Sequence, residues 1–152
     1  MLYSKFDKRT PEEELEHIFQ VYGAKNIDRI YKILSETFNV LQQRAQTLLS
    51  LITITLTISG FSGPQIARSS QLSRASITFG LVFVLLSALI LMTGPLQLKW
   101  STQLKSKDQR SALITLIELR NFRTRRYHIA SFCLVIGLVG YVSSLISFLI
   151  SG

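Results

Sequence analysis

The chain is poor in the residues from which most chemistry is built. It has one cysteine, Cys133, so no disulfide can form within it, and the redox compartment cannot be inferred. Its two histidines, His17 and His128, stand far apart, and neither has a partner at metal-ligand spacing. No glycine-rich phosphate loop, CxxC pair or nucleophile elbow is present. Acidic residues number 9 against 17 lysines and arginines. None of those charges falls within three long apolar blocks, 45–63, 75–98 and 129–150. Spans without Asp, Glu, Lys, Arg or His lack the groups proton-coupled transporters use, and no partnered nucleophile or carboxylate pair of an intramembrane protease is present. These absences lead us to expect no enzyme, no catalytic, cofactor-binding or metal-binding residues, and no cofactor.

What is present is hydrophobic length. A helix needs about 20 apolar residues to cross the hydrocarbon core, and the three blocks run to roughly 19 to 24. The expected fold is therefore all-α, an integral membrane protein with three transmembrane helices and a small cytosolic helical layer. The first 44 residues are polar and charged, so 45–63 is expected to act as an uncleaved anchor. The net charge of +8 would suggest nucleic acid in a soluble protein. Beside membrane spans it needs no such partner, and none is expected.

Residues 1–9 read as a leader lying loose or on a surface. Thr10-Pro11-Glu12-Glu13 is a helix start with a capping box and proline at the first helical position. Leu15, Ile18, Phe19 and Tyr22 follow on one face, and Gly23 is expected to end or bend that helix. From Asn26 a second amphipathic helix carries Ile27, Ile30, Tyr31, Leu34, Phe38 and Leu41 on one face. It reads as a structural stalk or packing surface; a coiled-coil oligomerisation stalk would need more heptads. No breaker separates it from Ala45.

Within the first block, residues 52–58 alternate like a strand, but a lone strand in lipid leaves its backbone bonds unmade, which argues for helix. On a helix, Gln46, Ser50, Thr53, Thr57 and Gly60 form one stripe. Gly63-Pro64 is expected to break the helix, leaving 64–74 as a short external loop. The second block places Ser73, Gly80, Ser87 and Gly94 seven apart, with Gly94-Pro95 kinking or ending it and Lys99-Trp100 as an interface anchor.

The third span has the cleanest stripe: Ala130, Cys133, Gly137, Gly140, Ser144, Ser147 and Ser151. Small residues let helices approach closely in lipid. The stripes fit ordinary packing within one chain. The sharper alternative is contact between copies or the lining of a polar pore, which three helices alone cannot enclose.

The basic loop, 99–128, contains a helix through 112–121 with Ser106 and Gln109 as a plausible capping box. Leu113, Leu116, Ile117 and Leu119 are expected to rest on the N-terminal helices or the membrane surface. Arg120, Arg123, Arg125 and Arg126 would meet lipid headgroups or, alternatively, an anionic ligand such as a nucleotide. Seven basic residues precede the first span, two lie between the first and second, and eight fill 99–128. Fifteen against two places the N-terminus in the cytoplasm and the C-terminus outside by the positive-inside rule.

The join Gln43-Arg44-Ala45-Gln46-Thr47-Leu48-Leu49 carries an amphipathic helix through a basic-small motif into the first span. Over residues 26–98 this architecture resembles the small membrane effectors of bacterial nucleotide-signalled antiphage systems, the Pycsar and SLATT-type transmembrane proteins. The resemblance implies oligomerisation and disruption of the inner membrane on ligand binding. The leading expectation is a non-enzymatic, self-associating membrane protein, a pore-forming or membrane-perturbing effector. The alternative is a membrane anchor or scaffold subunit docking a soluble partner through its N-terminal helices. A channel or transporter subunit with a dedicated solute is a weaker third. The expected partners are the bilayer, copies of the chain, and a soluble protein or anionic ligand at the cytosolic face.

Overall fold

A computed structural model describes residues 10–23, 26–94 and 109–151. Among these, all regular structure is helical: α1 (Pro11–Tyr22), α2 (Ile27–Ser69), α3 (Gln71–Thr93) and α4 (Gln109–Ser151). Three of the four are long and apolar enough to cross a membrane. The leader, Pro95, Lys99-Trp100 and Ser106 lie outside the described residues. The rest falls into two compact units, one within 1–40 and 98–122, the other within 41–97 and 123–152.

The first unit has an ordinary water-soluble pattern. Thr10 Oγ1 accepts from the Glu13 amide at 3.3 Å, and Glu13 Oε2 accepts from the Thr10 amide at 2.9 Å. That reciprocal cap satisfies two of the amides a helix start leaves orphaned. Gly23 ends α1 at φ 78°, a left-handed value that favours glycine, and its amide donates to the Phe19 carbonyl at 2.9 Å. Leu15, Ile30 and Leu34 are buried with Leu113, Leu116 and Ile117. The α4 residues thus cover the N-terminal helices, one of the two placements expected for them. Ile114, not Leu119, packs at the margin of this cluster. Glu14 and Arg120 form an ion pair at its edge, with side chains 25% and 23% exposed, and Arg110 pairs with Glu16 at 3.4 Å in the open.

The second unit inverts that pattern. Its interior is small or hydroxyl-bearing at many positions: Ala45, Thr55, Ser59, Ser73, Ser87, Ala130 and Ser144 are buried. Its surface carries Phe61 at 83% exposure, Leu149 at 76%, Phe132, Val139 and many other large apolar residues. The residues buried on α3 are Ser73, Ile77, Gly80, Val84, Ser87, Leu91 and, at its C-cap, Gly94, spaced alternately by four and three. That is a heptad seam with small residues at one core position and Ile, Val and Leu at the other.

Two boundaries differ from expectation. Gly63-Pro64 does not break the first long helix; α2 continues to Ser69, with Pro64 inside it. A proline in a helix interior costs about 3 kcal/mol. Continued helix, however, carries the buried line of Ile52, Thr55 and Ser59 on to Gly63 and Ile66, and burial of a side chain such as isoleucine offsets roughly 1.5–3 kcal/mol of that cost. The expected loop 64–74 reduces to Ser70, which caps α3 by accepting from the Ser73 amide at 3.1 Å. Arg68 and Arg74 accordingly lie in helices. Residues 123–128 are not a loop either, because α4 runs unbroken through them.

Candidate functional site

The α3 and α4 stripes meet each other. The helices run antiparallel, so each seven-residue step along α3 is matched by seven back along α4. Ser73 Oγ lies 3.0 Å from Ser144 Oγ, a Cβ on Gly80 would sit 2.8 Å from the Gly137 carbonyl oxygen, and Ser87 Oγ donates to the Ala130 carbonyl at 2.7 Å. A Cβ on Gly140 would likewise fall 3.1 Å from Gly80 Cα. At one end of the seam, Ser70 Oγ and Ser147 Oγ stand 3.5 Å apart. At the other, Arg126 Nη1 donates to the Thr93 carbonyl at 2.8 Å and its stem lies over Gly94. Cys133 is half-buried beside this line. Gly80, Ser87, Gly94, Gly137, Gly140, Ser144 and Ser147 are therefore engaged within the chain. Among the described residues no buried side-chain polar atom lacks a partner.

The α2 stripe is placed differently. Gln46, Ser50, Thr53, Thr57 and Gly60 are all exposed, and a Cβ on Gly60 would meet nothing within 4 Å. The buried face of α2 is instead the line through Ala45, Ile52, Thr55, Ser59, Gly63 and Ile66. The strand-like alternation of 52–58 resolves here: Ile52 and Thr55 go inward, Thr53 and Thr57 outward. Each hydroxyl of the stripe donates to the carbonyl four residues back, Ser50 at 3.1 Å, Thr53 at 3.0 Å and Thr57 at 2.9 Å. This internal bonding removes the cost of an unpaired donor while leaving each oxygen free to accept. Gln46 keeps a whole amide outward.

The four arginines singled out in the sequence separate. Arg120 is held by Glu14 and by Asn121 Oδ1 in the first unit. Arg126 caps α3 in the second. Burial lowers the pKa of the Arg123 guanidinium, and Arg125 is exposed. His17 and His128 are both exposed, and the described residues contain no group of three metal-ligating side chains. The stripe patterns did not single out Ser62, Ser70 or Tyr141. Ser62 Oγ and the Tyr141 hydroxyl lie 2.9 Å apart, joining α2 to α4. A lone tyrosine in an apolar block was the available signal.

Among the described residues these features define a helical protein whose second unit buries small and hydroxyl-bearing residues beside apolar ones and exposes large apolar ones. Comparison with protein families, curated proteins and solved structures finds no match.

Proposed function

We propose that the chain is a non-enzymatic integral membrane protein that crosses the bilayer three times and associates with copies of itself through the outward face of α2. The carrying observation is the contrast between stripes. Those of α3 and α4 are spent on each other, while Gln46, Ser50, Thr53, Thr57 and Gly60 remain outward among apolar neighbours. A surface of large apolar residues over an interior where serines, threonine, alanines and glycines are buried beside Ile, Val and Leu suits lipid as solvent, where bundles cohere by close packing and interhelical hydrogen bonds. The internally bonded hydroxyls of the stripe cost little in lipid, yet each oxygen can still accept a hydrogen bond from another polar helix surface, and small residues let such a surface approach closely. A second copy of α2 supplies one.

The distribution of basic residues orients the N-terminus and 99–128 toward the cytoplasm. An oligomer built on polar stripes perturbs the bilayer or lines an aqueous path, in keeping with the antiphage membrane effectors whose architecture the chain resembles. Conductance across planar bilayers tests this reading. Discrete current steps appearing with rising protein density support it; tight bilayers at every density contradict it. A stoichiometric soluble protein co-purifying with a monomer would replace it with the anchor reading.

A further inference from the structure

A groove in the second unit lies apart from the α3–α4 seam and shares only Ser50 with the outward face of α2. Its volume is about 410 Å³, within the range of roughly 300–1,000 Å³ usual for small-molecule sites. It is lined by Arg44, Thr47, Leu48, Leu51, Ile54 and Tyr127. Arg44 is the last charged residue before the first long apolar block, and Leu48, Leu51 and Ile54 follow it at i+4, i+7 and i+10. The lining therefore runs about 15 Å from the cation to Ile54, the last roughly 9 Å of it an apolar floor, at about 1.5 Å per residue.

Arg44 is exposed, and among the described residues it has no hydrogen-bond or ion-pair partner. The Thr47 hydroxyl is spent on the Gln43 carbonyl at 3.1 Å. The guanidinium is thus the free charged donor of this lining. Tyr127 immediately precedes His128 and the third apolar block, and it packs against the buried cluster of Ala45, Leu91 and Ala130, of which Ala45 is the first residue of the first block. Arginine and tyrosine at the start of two spans mark the depth at which lipid headgroups sit.

We propose that this groove seats one anionic phospholipid, its phosphate on Arg44 beside Tyr127 and an acyl chain along Leu48, Leu51 and Ile54. The proposal rests on the membrane-spanning reading. A lipid matches both ends of the groove at once. A soluble anion such as a nucleotide would meet one guanidinium and leave the apolar floor wet.

The test is native mass spectrometry of the full chain released from nanodiscs of phosphatidylcholine doped with phosphatidylglycerol, counting retained phosphatidylglycerol. Arg44→Gln should reduce its affinity about fivefold, the worth of one basic residue near an anionic surface. Ile54→Trp, at an exposed position, should reduce it comparably by filling the floor while keeping the charge. Arg68→Gln, also exposed and near the other end of α2, should change nothing. Ser50 also lines the groove and belongs to the α2 stripe, so it is left intact.

Equal retention by the Arg44→Gln and Arg68→Gln variants would overturn the proposal. So would release of the lipid by millimolar inorganic phosphate, which would mark a free-anion site. Carbonate extraction keeps the two readings apart. A chain washed from membranes overturns both, whereas one retained in membranes with undiminished lipid retention by the Arg44→Gln and Ile54→Trp variants overturns the groove alone.

Discussion

Ser73 and Ser144 are bonded to each other reciprocally. Ser73 Oγ donates to the Ser144 carbonyl at 3.1 Å, and Ser144 Oγ donates to the Ser73 carbonyl at 2.9 Å. Both residues are fully buried. Each hydroxyl thus bridges to the backbone of the opposite helix, so this pair holds the register of the α3–α4 seam. Ser73→Ala and Ser144→Ala should each destabilise the chain by about 0.6–1.7 kcal/mol, the range for interhelical bonds in lipid. The double variant should cost less than the two combined, because each removes a bond to a shared partner. Reversible unfolding in mixed micelles measures all three.

Glycine substitutions should divide by position. A Cβ at Gly80 would meet backbone, the Gly137 oxygen at 2.8 Å and the Tyr141 nitrogen at 3.1 Å, and backbone cannot rotate aside. Gly80→Ala should therefore force the helices apart and cost about 1–3 kcal/mol. Within one copy Gly60→Ala meets open space, so in a dilute, monomeric preparation it should stabilise α2 by about 0.5–1 kcal/mol through helix propensity. The same unfolding assay reads both, and equal effects would contradict the packing described.

Arg126 combines a charged hydrogen bond to Thr93 with a positive group at the C-terminal end of the α3 dipole. Arg126→Met, which keeps much of the stem over Gly94 and removes the charge, should cost about 1.5–3 kcal/mol. Hydrogen exchange should show fraying confined to the last turn of α3.

The two ion pairs of the first unit should differ in salt sensitivity. Glu16→Gln breaks an exposed pair, with side chains 64% and 57% exposed, and should cost under about 0.5 kcal/mol at low salt and nothing at 0.5 M. Glu14→Gln loosens the more sheltered contact with Arg120 and should cost about 1 kcal/mol, retained in part at high salt. Thermal melts at two ionic strengths check the difference.

Much of this architecture is legible in the sequence where the signal is local. The Thr10–Glu13 box, the Leu15 face and the seven-residue spacing on α3 are patterns within one helix, and each appears where the spacing predicts it. Pro64 misleads because its local cost is offset by continued burial along the α2 line at Gly63 and Ile66, which a reading of the Gly-Pro pair alone does not weigh. The stripes show a further limit. Periodicity groups Gln46, Ser50, Thr53, Thr57 and Gly60 on a face as clearly as it groups the α4 residues. It does not say which face meets a neighbour, since that depends on three helices at once. The groove at Arg44 was hidden for the same reason: its tyrosine lies on α4, more than eighty positions away.

In the proposed assembly α2 joins copies of the chain through its outward polar face. The most direct test is the mass of the complex in nanodiscs, compared between the native chain and a Thr53→Leu, Thr57→Leu double variant. Both positions are exposed, so the fold should be retained, which circular dichroism and an unchanged melt would establish. A homo-oligomer is expected for the native chain, with a shift to monomer for the variant. A native monomer, or an oligomer of unchanged mass in the variant, would contradict it.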